Sequence, residues 1–431
     1  MSSFIKDIVK VGISNTFIIV FGLATSMITA RYLGPEKNGI IAALLVYPSL
    51  FMSIGSLGIR QSTTFFLGKK IYSEDQIKTA ITQIWCFTSI FSIVICFLLM
   101  HYFSKSGDNL YWVLLAIIPI PFSLFNTYNS GIFLGKNDIA VFNRINWIPS
   151  LLIFLGTSFF IILMKWDIPG YLLALLGGPL FISIILLFRN KFIYSFSSKF
   201  EWKIIKSLLS LGVVYAISLL VISLNYRIDI IILDKLSTPF ELGIYSKGAG
   251  ISQFLWQIPM VLCTIVFARS AIAEDDFQFS LKLTRLLRLS LLAVGILSFI
   301  LYFLSHYIIL TLYGRPFEKS TQIMQILLPG VVVLTLFKVM NMDLAGKGKP
   351  WISMKAMIPA LIVNVLLNLF LIPKYGAKGA SISSTISYSI GGLLFLHFYS
   401  KEAHIPVKEI MKYKKSDFEP LRKVVNNIMK K

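Results

Sequence analysis

Two cations stand inside long apolar runs of this 431-residue chain. Arg227 lies near the end of the run Leu208–Leu233, two residues before Asp229, and Lys247 lies early in a second run that closes at Arg269. A short turn with Asp234, Pro239 and Gly243 joins the runs. A charge inside such a span costs a few kcal/mol, so it usually faces a bundle interior or a watery cavity. The other reading is a shallow side chain that snorkels to the headgroups. At about 1.5 Å per residue Arg227 sits roughly 10 Å below the turn, which suits both. Fixed cations in a cavity bind anions, and guanidinium groups suit phosphate through paired donors. Arg31, Arg60, Arg269 and Lys338 join Arg227 and Lys247 as candidates for such a cleft. Arg60 and Arg269 close spans at the same mouth, where topology charge is the competing explanation. Arg31 also reads as a turn residue, and Lys338, two turns from a span end, also reads as snorkelling. Asp229 shares a helix face with Asn225, four residues earlier, whereas Arg227 points nearly the opposite way. Asp229 is therefore expected either to pair with Lys247 as a structural lock or to hold a coupling H+ or Na+. Asn126, Asn129, Asn364 and Asn368 place amides within spans, for sugar or for helix–helix hydrogen bonds.

These residues need long apolar helices to carry them. The composition is 56% hydrophobic and only 14% charged, against roughly a quarter charged in soluble domains. Helices or closed barrels alone satisfy their backbone in lipid, and the alternating pattern of barrels is absent. Hydropathy gives twelve spans of about twenty residues, from near Ile8–Ala30 to near Gly379–Phe398. The net charge of +21 would suggest nucleic acid in a soluble protein. Here it follows the positive-inside rule, with about thirty Lys and Arg on one side and about nine on the other. That bias puts both termini in the cytoplasm. Cys86, Cys96 and Cys263 form no disulfide or metal spacing, and four scattered histidines imply no metal. Gly346-Lys-Gly-Lys349 lacks the spacing of a nucleotide loop, so no cofactor is expected. Short connections leave no room for a folded outer domain. The basic tail reads as an interfacial or disordered segment on anionic lipid, or as a solvated end.

The two halves echo each other. Gly39 matches Gly243 and Pro169 matches Pro373 at an offset of 204. His101-Tyr102 matches His306-Tyr307, Arg60 matches Arg269, Gly135-Lys136 matches Gly346-Lys347, and Arg144 falls opposite Lys355. A repeat of six spans is related by an axis along the membrane normal. The expected architecture is all-α, with twelve transmembrane helices in two pseudo-symmetric six-helix bundles around a central cleft. Residues 1–200 and 201–400 form the lobes and 401–431 the tail. Pro119, Pro121, Pro259 and Pro329 invite kinks. The pairs Gly177-Gly178 and Gly391-Gly392 suit bending or close packing.

Several stretches resemble the polysaccharide-transporter branch of the multidrug/oligosaccharidyl-lipid/polysaccharide exporter superfamily. They are Ala30-Arg-Tyr-Leu-Gly-Pro-Glu-Lys-Asn-Gly39, Asp229-Ile-Ile-Ile-Leu233 with Gly243-Ile-Tyr245, Leu344-Ala-Gly-Lys-Gly-Lys349, and Leu371-Ile-Pro-Lys-Tyr-Gly-Ala-Lys-Gly-Ala380 with Asn364 and Asn368. The resemblance implies a bacterial inner-membrane flippase, not an enzyme. Its substrate would be an undecaprenyl-pyrophosphate-linked glycan such as an O-antigen unit, moved by alternating access. Membrane lipids and polysaccharide polymerase machinery are the expected partners, and nucleic acid is not. The rival readings are a cation-coupled drug antiporter of the same superfamily and a membrane glycan polymerase.

Overall fold

The fold is described from a computed structural model covering residues 2–136, 147–189, 192–195, 200–270 and 273–418. Arg144 and the last part of the tail, 419–431, lie outside the described residues. The described residues contain helices and no strand. In order these are α1 (Ser2–Ile54), α2 (Ile59–Gly68), α3 (Glu74–Phe103), α4 (Leu110–Ile117), α5 (Pro119–Gly135), α6 (Ile148–Thr157) and α7 (Ile168–Arg189). The second half holds α8 (Trp202–Leu236), α9 (Pro239–Phe254), α10 (Gln257–Ser270), α11 (Asp276–Tyr313), α12 (Ser320–Gly346), α13 (Ile352–Glu402) and the short α14 (Val407–Met411).

Eight helical stretches are long and apolar enough to cross a membrane. Two of them are kinked double passages. The first bends at Gly34, with φ 70°, and α13 bends at Gly376, with φ 54°. Both sit in the left-handed region that favours glycine. Pro35 then opens the second arm of α1, a position where a missing N–H costs nothing. Adding Ile148–Leu163, which ends in a π-helical turn, and the α9–α10 pair, the described residues are consistent with twelve passages. The fold is thus all-α and polytopic, as the composition requires. Span two runs further than hydropathy suggests. After a break at Gly58 the chain continues through α2 to Gly68, so Arg60 opens a helical segment rather than ending a span.

Polar caps start the helices at the turns. Ser73 and Gln76 form a reciprocal capping box. Asn109, Thr238 and Asp275 accept from the backbone N–H three residues on. Outward faces are apolar instead of charged. Phe87, Ile90 and Phe299 are about 70% exposed, the inverse of a water-soluble surface and the surface expected to meet lipid. One large apolar core fills the second half, around Tyr245, Leu287, Phe337 and Phe395. Two smaller cores fill the first half, and the start of α8 packs into one of them through Ile204, Ile205 and Leu208.

The first part of the basic tail is ordered against the helices, which corrects the expectation of a disordered or solvated segment there. Residues 403–418 are docked on α11. Arg288 grips Asp417 through two bonds, Nε to Oδ2 at 2.7 Å and Nη2 to Oδ1 at 2.8 Å. Its third nitrogen, Nη1, donates to the carbonyls of Glu409 and Ile410 and to Thr284. Both partners are buried. The guanidinium beside Asp417 holds that carboxyl below the usual carboxylate range.

Candidate functional site

The turns divide the molecule into a proximal face, where α1 starts, and a distal face, where it bends at Gly34. At the distal face the halves are clasped backbone to backbone. A Cβ placed on Gly39 would run into the Pro239 carbonyl, and one placed on Gly243 would run into the Pro35 carbonyl. Each glycine would also meet the other's backbone nitrogen, at 3.0 and 3.1 Å. The clasp is reciprocal because the same Pro-x-x-x-Gly spacing opens both helices. Polar bonds extend the seam. Ser26 Oγ and Tyr313 Oη lie 3.0 Å apart, Ser104 donates to Asp234 at 2.9 Å, and Lys105 Nζ donates to the Ser237 carbonyl at 2.9 Å.

On the proximal side of this clasp the start of α8 stays packed on the first half, with Gly58 against the Gly212 carbonyl and Tyr72 Oη 3.0 Å from Ser207 Oγ, and residues from both halves line a cavity of about 320 Å³. Arg60, Gln61 and Thr64 reach it from the first half. Tyr226, Met260, Phe267, Lys338 and Asn341 reach it from the second. Lys338 rests on two rings, 4.1 Å from the centre of Trp256 and 4.4 Å from that of Tyr226. Such contacts hold a cation by the negative face of the ring. The helix break at Leu255-Trp256, between α9 and α10, presents the indole there. Its N–H is bonded to the Val331 carbonyl at 3.1 Å, which fixes the ring. Tyr388 packs edge-on to both rings. A basic, aromatic-sided pocket of this kind can hold an anion next to a sugar face.

The other candidate cations are placed differently. Lys247 is buried and lies in a second cavity of about 220 Å³ between α1, α6, α7 and α9. Arg227 is half-buried and borders neither cavity. Arg269 is exposed at the end of α10. Arg31 is exposed and donates to the carbonyls of Thr311 and Leu312 at the end of α11. It therefore completes a helix terminus and does not line the cavity with Arg60. The sequence thus brings Arg60 and Lys338 together, puts Lys247 in a neighbouring cavity, and leaves Arg227, Arg269 and Arg31 apart.

Asp229 and Lys247 form no ion pair, which corrects the expected lock across the hairpin. Lys247 Nζ is taken by Thr29 Oγ1 at 2.8 Å and by the Ser26 hydroxyl and carbonyl at 3.2 Å. Asp229 is fully buried in a shell of donors: the Tyr245 hydroxyl, Ser384 Oγ at 2.9 Å and the Ile230 N–H at 2.9 Å. One turn away, Asn225 exchanges bonds with Ser387, and its carbonyl accepts from Asn364. Asn368 donates to Asn364 at 2.7 Å, and its own buried Oδ1 has no partner. Asn126 bridges to Pro179 and Ser183 on α7, so it ties helices together away from the cavities.

Some residues escaped the reading of the sequence. Trp256 and Tyr226 gave no signal above the many aromatics of apolar spans. Asp343 could have been found, as an acid inside the apolar run of α12. It is fully buried and accepts from Ser270, Ser280, Tyr399 and Lys347, tying α10 to α13 together at the proximal face.

Comparison with known proteins follows the same lines. Residues 4–272 match the family described as polysaccharide biosynthesis protein. A putative O-antigen transporter of Shigella flexneri is 24% identical over 407 residues, 86% of this chain and 92% of that one. The capsular polysaccharide biosynthesis protein CapF of Staphylococcus aureus is 27% identical over 184 residues; that match spans about half of each protein, 42% of this chain and 46% of CapF. Among solved structures, the lipid II flippase MurJ in an inward closed conformation superposes with a TM-score of 0.71 at 16% identity. That match covers 97% of this chain and 96% of MurJ. An inward-facing multidrug MATE transporter gives the same TM-score at 12% identity, over 91% of this chain and 96% of that one. With residues 4–272, well over half its length, matched by the family, this chain is a member of the polysaccharide biosynthesis protein family.

Proposed function

We propose that the protein is a flippase for a polyprenyl-diphosphate-linked oligosaccharide, passing it across the membrane by rocking of two six-helix lobes. The observation that carries this is the cavity shared by Arg60 and Lys338, one from each half. A diphosphate needs fixed positive charge once it leaves water, while the polyprenyl tail can stay in lipid. The rings of Tyr226 and Phe267 line the same cavity and give a sugar an apolar face beside that charge. The Shigella flexneri relative is named a putative O-antigen transporter, and a Haloferax volcanii relative a probable glycan biosynthesis flippase; both names fit this substrate class. A drug antiporter would want an anionic pocket for cationic cargo, whereas this one is basic.

The proximal face is proposed as cytoplasmic, the loading side, with the distal clasp closing the outer side of a bacterial inner membrane. Asp229 with Asn225, Asn364 and Asn368 is the proposed site for a coupling H+ or Na+. The orphaned Asn368 oxygen is an acceptor that a cation would satisfy. Asp229 as a purely structural hub of its donor shell is the alternative.

The test is the double variant Arg60→Gln, Lys338→Met in cells lacking the native gene. Each lost charged contact is worth about 1.5–3 kcal/mol. Surface glycan should therefore fall at least about tenfold, with lipid-linked intermediate accumulating and protein level unchanged. Wild-type glycan in the double variant would remove the proposed site.

A further inference from the structure

The second cavity raises a question that the first leaves open: what tells the distal seam to open. Lys247 has two relations at once. Its ammonium crosses from α9 to α1 and is held there by Ser26 and Thr29, so it ties the halves together just below the Gly39–Gly243 clasp. The same ammonium lines a 220 Å³ cavity whose wall also carries Thr25, Ser150 and Tyr171. Thr25 is 94% buried and its hydroxyl has no hydrogen-bond partner. A buried hydroxyl without a partner is uncommon and calls for an explanation. Neither Ser26 nor Thr29 is a charged partner, so an anion entering the cavity would outcompete them for Lys247.

We propose that the Lys247 cavity is a second anion site, for the diphosphate group of a lipid, and that filling it releases a latch. An anion there takes the Lys247 ammonium and the Thr25 hydroxyl as donors. Lys247 then lets go of Ser26 and Thr29, and the seam between α1 and α9 loses its buried polar tie. The cargo thereby unlocks the exit ahead of it. This rests on the flippase reading for the identity of the lipid.

The experiment uses the full-length protein in lipid nanodiscs, with its three cysteines replaced. Spin labels go on Glu36→Cys and Glu318→Cys, exposed positions on opposite halves of the distal face. The probes are a polyprenyl diphosphate and, separately, phosphatidylglycerol. The diphosphate should lengthen the label-to-label distance, and phosphatidylglycerol should not. Ser26→Ala with Thr29→Val should lengthen it without any probe. Lys247→Met loses the same tie, so it should lengthen the distance without probe as well and leave no further response to the probe. Thr25→Val loses no bond in the resting structure, so a structural role predicts no change. The proposal expects it to raise the probe concentration for half-opening at least about fivefold. An unchanged response in Thr25→Val, or normal probe-driven opening in Lys247→Met, overturns the latch. An equal shift with phosphatidylglycerol assigns the cavity to ordinary headgroups and overturns cargo sensing. Binding of the diphosphate to the wild type is measured in parallel by native mass spectrometry. No binding refutes the flippase reading itself, whereas binding lost in Arg60→Gln, Lys338→Met with normal opening in Lys247→Met refutes the latch alone.

Discussion

The two halves share a scaffold and differ in chemistry. At the 204-residue offset, Pro35 and Gly39 fall on Pro239 and Gly243, and these four residues build the distal clasp. The same offset sets Asp229 opposite Thr25, Asn225 opposite Phe21, Arg227 opposite Leu23 and Lys247 opposite Ala43. The repeat has kept the backbone features that shape the bundle. At three of these four positions the second copy alone carries an ionisable group, and at the fourth it carries the Asn225 amide. Closing a seam needs two matching surfaces, whereas binding a charge needs one set of ligands. Symmetry in one and asymmetry in the other follow from those needs.

The sharpest way to break this comparison is at the clasp. Gly39→Ala and Gly243→Ala each force a methyl into the partner's carbonyl. Backbone cannot yield as a side chain does, so overpacking should cost upwards of about 1–3 kcal/mol in the closed state. Both variants should lose most transport, to a similar extent, and lengthen the distal spin-label distance. Gly177→Ala and Gly250→Ala, which meet nothing within 4 Å, should behave as wild type. A large difference between Gly39→Ala and Gly243→Ala would break the claimed symmetry.

The asymmetric side is sharpened by Asp229→Asn. The shape survives while the charge is lost, so transport in proteoliposomes should become independent of an imposed proton or sodium gradient. Gradient dependence retained in full would leave Asp229 as a structural hub. The smallest effect on transport should come from the tail. Arg288→Ala leaves Asp417 buried without its partner, a loss of about 3–5 kcal/mol. It should expose residues 405–418 to protease before transport is affected. The pH dependence has a definite sign. The Asp417 carboxyl is held low in the folded state by Arg288, so its contribution is present above the ordinary carboxylate range. It is lost as pH falls through that lowered value. Tail protection against protease should therefore weaken in acid and not in mild alkali.

Much of the fold was legible because lipid imposes a simple rule. Apolar runs of about twenty residues, with cations on one side, gave the passages and their repeat. Lys338 was legible as a cation near a span end and Arg60 as a cation beside an apolar run, although that span continues to Gly68. What joins them was not, since they are 278 positions apart and belong to different halves. Lys247 was visible as a buried charge. Its partners, Ser26 and Thr29, were not, because hydroxyls in apolar helices usually bond their own backbone. The docked tail was hidden by its composition. A strongly basic segment reads as solvated, and one buried Asp417 bound 129 residues away leaves no local pattern.

The cavity between the halves has a thermodynamic corollary. Its two cations, Arg60 and Lys338, are mounted on separate lobes, so any rocking that parts the lobes dismantles the pair. Losing one charge-assisted contact weakens a ligand by about 1.5–3 kcal/mol, roughly ten- to a hundredfold in affinity. Under the proposed flippase reading, tight capture and easy unloading would then be two states of a single pocket, with the rocking of the lobes setting the exchange rate between them.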